Sequence, residues 1–162
     1  MLLIRILTLP ILPFYALVVL IRNWSYDKGV LKSNSFDIPV IGVGNLSVGG
    51  TGKTPMVEYI IRLLNQENKV AVISRGYGRK TKGFVFAEKT STSTDVGDEP
   101  LQFKKKFEHI NVAVCAKRVK GINNIIKQFP ETQTILLDDA FQHRSVTPGI
   151  SCLLYTSPSP RD

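Results

Sequence analysis

Three clusters of polar residues carry the chemistry that this chain could perform. The first is a glycine-rich loop, Ser47-Val48-Gly49-Gly50-Thr51-Gly52-Lys53-Thr54, which matches the phosphate-binding pattern G-x-x-x-x-G-K-[ST] except for a serine at the first position. The others are two pairs of neighbouring carboxylates, Asp98-Glu99 and Asp138-Asp139. Together, such groups can bind phosphates, bind a divalent cation and accept a proton. The clusters therefore predict phosphoryl chemistry on a nucleotide.

The glycine-rich loop is expected to bind the nucleotide along its whole length. Successive N–H groups of a glycine-rich backbone can converge on phosphate oxygens. Lys53 would reach the β- and γ-phosphates, and the Thr54 hydroxyl would bind Mg²⁺. The alternative is a glycine-rich turn that happens to precede a lysine. The flanks argue against that alternative, because an apolar strand-like run at 38–43 precedes the loop and a helical pattern at 54–64 follows it.

Each carboxylate pair allows a structural and a chemical interpretation. Asp98-Glu99 precede a predicted helix at 101–107, where carboxylates commonly stabilise the helix dipole. Beside a nucleotide, one carboxylate could instead bind the metal while the other accepts a proton from an attacking hydroxyl. Asp138-Asp139 end an apolar strand at 134–139, a pattern that holds Mg²⁺ opposite the loop threonine, although a plain turn would look similar. His143 becomes a candidate for substrate contact only through its position beside these aspartates.

The segments around the clusters alternate between strand and helix. Buried-type strands are predicted at 69–74 and 111–115, and a helix at 117–129. This order predicts an α/β fold, a parallel sheet with helices on both faces. The basic segment 75–80 follows a strand where open α/β sheets place ligand-binding loops, although a solvated basic turn explains it equally well. Residues 81–93 are predicted to be mainly an exposed loop with one short β-like piece.

Composition and charge narrow the class of protein. The chain has 162 residues, 43% apolar and 21% charged, which suits one folded domain. Its net charge of +8 favours anionic partners, such as nucleotides, nucleic acid or an anionic membrane. No stacked-aromatic RNA motif or zinc finger is present in the sequence, so nucleic acid is not expected as a partner. Cys115 and Cys152 lie in apolar runs and are expected to be small buried side chains rather than a disulfide.

The N-terminal segment, 1–32, is expected to associate with a membrane. Its first 21 residues are almost entirely apolar, but Pro10 and Pro13 interrupt a spanning helix and Arg5 lies within it. We favour a helix lying in the membrane interface, with the cations that follow it facing anionic headgroups. A helix packed on the domain, or one that spans the bilayer, remains the alternative.

Taken together, the motifs resemble the tetraacyldisaccharide 4′-kinase family, the lipid A 4′-kinases of Gram-negative bacteria. The four motifs, in the family's order, are GNLSVGGTGKTP at 44–55, SRGYGR at 74–79, VGDEP at 96–100 and LDDAFQHR at 137–144. With the apolar N-terminus they span residues 1 to about 154. The serine that departs from the general phosphate-binding pattern belongs to the family's own version of the loop.

The resemblance implies transfer of the ATP γ-phosphoryl group to the 4′-hydroxyl of a membrane-embedded acylated glucosamine disaccharide, at the cytoplasmic face of the inner membrane. The product would be lipid IVA. The residues that the resemblance assigns are Lys53 and Thr54 for phosphate and Mg²⁺, Glu99 and Asp138 for the metal, Asp98 as the residue that activates the sugar hydroxyl, Asp139 beside the reacting groups, and Tyr77, Gln142 and His143 lining the substrate site.

The end of the chain departs from the resemblance. Family members continue into a second lobe, whereas residues 155–162, with two Ser-Pro steps, do not look like that continuation. We expect a partial kinase core at 33–154 followed by a non-native tail, with the second lobe missing. Two other functions remain open: a membrane-associated phosphate-loop ATPase or regulator without lipid kinase activity, and a non-catalytic membrane-binding module.

Overall fold

The computed structural model describes residues 11–45, 52–64, 69–140 and 144–154, with side chains from Pro13 onward. The chain divides after Ser33 into two units. In the first unit, helix α1 (Ile11–Asp27) exposes most of its large apolar side chains. These are Phe14, Tyr15, Leu17, Val18, Leu20, Ile21 and Trp24. Among the described residues, no helix combines the length and apolar content needed to cross a bilayer.

The second unit is built on one six-stranded sheet in the order β3-β4-β2-β5-β1-β6. Its strands are β1 (Val40–Asn45), β2 (Val70–Ser74), β3 (Val85–Phe86), β4 (Asn111–Val114), β5 (Thr134–Asp138) and β6 (Ile150–Leu154). All neighbouring strands pair in parallel except β3, which pairs antiparallel with β4. The sheet confirms the predicted α/β class and the parallel arrangement.

Helices cover both faces of this sheet. They are α2 (Lys53–Leu64), α3 (Ser93–Val96), α4 (Asp98–Lys106) and α5 (Arg118–Gln128). Because side chains alternate along a strand, Val72 of β2 packs in a core with α2 and α4, while its neighbour Ile73 packs with α5. The central strands β2 and β5 are buried throughout, as expected of a parallel sheet covered on both sides.

The helix that carries the first acid pair begins earlier than predicted. We expected a start at Leu101, but α4 begins at Asp98, so both carboxylates lie in its first turn. A helix start favours this placement, since acidic side chains there oppose the positive end of the dipole and Pro100 gives up no needed hydrogen bond. The predicted loop at 81–93 likewise ends in the short α3, where Asp95 accepts a hydrogen bond from the Thr92 amide at 2.8 Å.

Candidate active site

A cleft of about 390 Å³ opens at the edge of the sheet where β2 and β5 end and where α2 and α4 begin. Its lining residues come from four separate segments of the chain. They are Lys53, Ser74, Arg75, Tyr77, Asp98, Glu99, Pro100, Asp138 and Asp139. The carboxyl ends of parallel strands are where open α/β folds bind ligands, so the topology alone accounts for the convergence.

The first turn of α2 faces both acid pairs. Lys53 Nζ lies 3.2 Å from Asp139 Oδ1, and both side chains are partly buried. The Thr54 hydroxyl donates a hydrogen bond to Glu99 Oε1 at 2.9 Å. The end of the glycine-rich loop is therefore joined by an ion pair to the residue that follows β5 and by a hydrogen bond to α4.

Asp138 is the most deeply buried acid of the cleft, with 1% of its surface exposed. Its Oδ2 accepts a hydrogen bond from the Ser74 hydroxyl at 2.9 Å. Burial raises the pKa of Asp138 to about 6, and the charges of Glu99 and Asp139 act in the same direction, against the Ser74 hydrogen bond and the Arg118 charge. The fold therefore holds a costly negative charge where a cation would relieve it.

A buried arginine supports this strand end from below. Arg118, the first residue of α5, is 1% exposed; its guanidinium donates to the backbone oxygens of Cys115 at 2.6 Å and of Asp138 at 3.0 Å. Its Nε has no hydrogen-bond partner among the described residues. Burial lowers the pKa of Arg118 to about 10, opposed by the charges of Asp138 and Asp139, so the side chain stays charged at neutral pH.

Asp139 lies in a turn directly after β5. Among the non-glycine residues that the structure describes, Asp139 alone has a left-handed backbone, with a φ of 56°. Aspartate tolerates this conformation better than most residues, though at a cost of about 1 kcal/mol. Strained backbone is common at functional sites, where it fixes a side chain at a defined position.

In the basic segment after β2, some residues line the cleft and others stabilise the fold. Arg75 and Tyr77 line the cleft, and Tyr77 is 89% exposed. Arg79 turns away and donates to the backbone oxygen of Gly83 at 2.7 Å. Gly97 lets this segment approach α4 closely. The φ of Gly97 is 92°, and a Cβ at this position would lie 2.8 Å from the backbone oxygen of Tyr77. Only part of the segment thus matches the predicted ligand-binding loop.

The oxygen donors in the cleft are of the kind that Mg²⁺ prefers. Thr54, Glu99 and Asp138 offer a hydroxyl and two carboxylates. Within the described ranges, no three acidic, histidine or cysteine side chains form a ready-made metal cluster. Mg²⁺ usually takes one or two carboxylates together with water and substrate phosphates. The donor set therefore fits the ion only if a phosphate completes it.

The predicted site residues fall into two groups. The structure brings together in one cleft Lys53, Tyr77, Asp98, Glu99, Asp138 and Asp139, with Thr54 hydrogen-bonded at its wall. Gly52 lies immediately before α2 with a φ of 80°. The other predicted positions, Ser47, Val48, Gly49, Gly50, Thr51, Gln142 and His143, lie outside the described residues.

Comparison with known proteins connects this geometry to a family. The family model described as "Tetraacyldisaccharide-1-P 4'-kinase" matches residues 4–159. The chain belongs to this family. A tetraacyldisaccharide 4'-kinase of Flavobacterium johnsoniae is 53% identical over 152 residues, covering 94% of this chain and 45% of that protein. One of Parabacteroides distasonis is 54% identical over 143 residues, covering 86% of this chain and 38% of that protein.

A solved structure shows the same fold. LpxK from Aquifex aeolicus, crystallised in complex with ATP, superposes with a TM-score of 0.80 at 37% identity. The match covers 93% of this chain and 48% of that one. The chain thus spans less than half the length of the 4'-kinase relatives that it matches.

Sequence reasoning did not name three individual residues that line the cleft or support it, namely Ser74, Arg75 and Arg118. Ser74 and Arg75 stood inside a recognised motif, and their position at the end of a buried strand could have identified them. Arg118 gave no signal, because an arginine at a helix start ordinarily faces water. Its burial depends on the carbonyls of two strand ends, which only the folded chain brings together.

Proposed function

We propose that the full-length protein transfers the γ-phosphoryl group of ATP to the 4'-hydroxyl of tetraacyldisaccharide 1-phosphate, which gives lipid IVA in lipid A biosynthesis. The observation that carries the proposal is the convergence of Lys53, Thr54 and both acid pairs on one cleft in a member of the 4'-kinase family. Phosphoryl transfer requires mainly positioning and charge neutralisation, which these groups can supply.

Each side chain has a task in this proposal. Lys53, which lies 3.2 Å from Asp139 in the cleft, contacts the phosphates of the nucleotide. Thr54, Glu99 and Asp138 hold Mg²⁺, which when bound neutralises the charge on the phosphates. Asp98, exposed at the N-terminus of α4, accepts the proton of the attacking sugar hydroxyl. Asp139 lies beside the reacting groups.

The acceptor is proposed to contact Tyr77, Gln142 and His143. Tyr77 supports this role by its position at the mouth of the cleft and its 89% exposure. Helix α1, whose exposed apolar side chains suit burial in a membrane interface, would hold the enzyme at the cytoplasmic face of the inner membrane, where a lipid acceptor resides. The cations that follow the apolar segment would face the anionic headgroups.

The decisive experiment follows the label of [γ-³²P]ATP. Full-length protein is incubated with Mg²⁺, labelled ATP and tetraacyldisaccharide 1-phosphate in detergent micelles, and the lipid and inorganic phosphate are separated. We expect label in the lipid, and loss of that label in Lys53→Ala. Label that appears only as inorganic phosphate would favour a membrane-associated ATPase. Unchanged ATP binding by Lys53→Ala would favour a non-catalytic membrane module.

A further inference from the structure

A row of polar contacts joins α2 to α4, starting at the cleft. At the first turn of both helices, Thr54 donates to Glu99 at 2.9 Å. One turn further along, Gln102 Nε2 donates to Glu58 Oε1 at 2.8 Å. Thr54 and Glu58 are four residues apart on α2, and Glu99 and Gln102 are three apart on α4, so each pair lies on one face of its helix.

The row continues towards the ends of the two helices. Lys106, the last residue of α4, forms an ion pair with the second carboxylate oxygen of Glu58. Beyond it, the Arg62 guanidinium lies 5.7 Å from the centroid of the Phe107 ring. The contacts advance in the same direction on both helices, which therefore run parallel with their positive ends at the cleft. Two such ends favour an anionic ligand and also repel each other, and the row of contacts opposes that repulsion.

Glu58 is the centre of this row. It is 6% exposed, and its one carboxylate serves Gln102, Lys106 and, at 3.7 Å, Arg62. Burial raises the pKa of Glu58, but the hydrogen bonds from Lys106 and Gln102 and the neighbouring cations outweigh it, so the pKa lies below its ordinary value. A buried carboxylate with three donors fixes distances more tightly than an exposed pair does.

We infer that Glu58 is a positioning residue that sets the separation of Thr54 and Glu99 by joining α2 to α4 one turn behind them. This inference rests on the proposed function, in which those two side chains receive Mg²⁺ with the nucleotide. Glu58 itself does not line the cleft. Its loss should therefore weaken the contribution of Mg²⁺ to ATP binding and leave the contacts of Lys53 with the phosphates unchanged.

The test compares ATP affinity with and without the metal. Binding of a fluorescent ATP analogue to full-length Glu58→Gln is titrated in EDTA and in Mg²⁺. We expect the affinity gained from Mg²⁺ to fall about 10-fold, as for other groups that orient metal ligands, with the affinity in EDTA unchanged. Lys106→Met removes the same ion pair from α4 and should reproduce the effect. Glu108→Gln is the matched control, because Glu108 forms an exposed ion pair with Lys89 outside the row.

A double-mutant cycle separates positioning from general destabilisation. In a Glu99→Gln background, Glu58→Gln should cause no further loss of Mg²⁺ affinity, since the contact it positions is already altered. Equal losses in both backgrounds, or a loss also seen in EDTA, would overturn the inference. A wild-type protein that binds ATP with Mg²⁺ but phosphorylates no lipid would contradict the proposed function instead, with the cycle still deciding the role of Glu58.

Discussion

The two acid pairs face one cleft from opposite structural positions. Asp98 and Glu99 occupy the first turn of α4, where Asp98 is exposed and the helix dipole favours negative charge. Asp138 ends a strand buried on both faces and is 1% exposed, and Asp139 follows it with a left-handed backbone. The same residue types thus acquire different properties. The carboxylate at the helix start is accessible to a substrate, whereas the negative charge at the strand end is buried and would be stabilised by a bound cation.

The largest expected effect concerns the helix pair. Asp98→Asn removes the proposed proton acceptor while keeping its size, so lipid phosphorylation should fall about 10²- to 10⁴-fold. ATP affinity in Mg²⁺ should stay within about 3-fold of wild type, because an exposed group that binds no phosphate contributes little to it. Transfer to lipid and binding of a fluorescent ATP analogue measure the two quantities. Lost ATP affinity with normal turnover would place Asp98 among the metal ligands instead.

The strand pair should show the reverse pattern. Asp138→Asn removes a proposed Mg²⁺ ligand, so ATP affinity in Mg²⁺ should fall about 10- to 100-fold. The nucleotide-free protein should become more stable, because the variant no longer buries a charge. The rise of the pKa from 3.8 to about 6 corresponds to roughly 3 kcal/mol in the free energy of unfolding at neutral pH. Titration and denaturant unfolding without metal test both changes.

The pH dependence of that gain supplies its control. Above about pH 6 the folded wild type carries the unfavourable charge, so the stability difference from Asp138→Asn should be complete. It should shrink as the pH falls from about 6 towards 3.8, where wild-type Asp138 becomes protonated in the folded and then in the unfolded state. A difference independent of pH over this window would show that the gain has another cause.

The contrast between the pairs also shows what sequence can predict. The motif at 47–54 and the alternation of strands and helices were sufficient for the fold class and for placing Asp138 near the loop, because parallel strands end at a common edge. The placement of Asp98 beside them was implied only by the family resemblance. The free-energy cost of keeping each carboxylate ionised in the folded protein was not predictable, because it depends on burial and on neighbours distant in the chain. Ser74 contacts Asp138 across 64 residues, and Glu58 contacts Lys106 across 48.

The start of α4 and the burial of Arg118 could not be predicted from the sequence for a related reason. The start of α4 at Asp98 depends on Gly97, which allows the backbone of the 75–79 segment to pack against the helix start. Arg118 could only be interpreted as an exposed helix residue, because its acceptors, two backbone oxygens, leave no signal in side-chain types. Helical and strand periods record which faces are apolar, whereas contacts to backbone oxygens follow from packing.

A smaller effect should follow from the hydroxyl beside the strand pair. Ser74→Ala removes the hydrogen bond to Asp138 Oδ2, which favours the ionised carboxylate. The pKa of Asp138 should rise further, so Mg²⁺-dependent ATP binding should need a higher pH. The cost in unfolding free energy should be about 1 kcal/mol at pH 8 and smaller at pH 5, where Asp138 is protonated. Binding titrations across pH 5–8 check this; an unchanged pH profile would contradict it.

The smallest expected effect concerns the backbone conformation of one residue in each acid pair. Asp139→Asn and Asp139→Ala both remove the ion pair with Lys53, but asparagine tolerates the φ of 56° and alanine does not. The alanine variant should therefore be less stable than the asparagine variant by about 1 kcal/mol. At Asp98, which lies in helical backbone, the same two substitutions should differ by no more than about 0.5 kcal/mol. Denaturant unfolding of the four variants measures both differences. Equal differences at the two positions would mean that the left-handed turn after β5 carries no strain, and that the pairs differ only in their exposure to water.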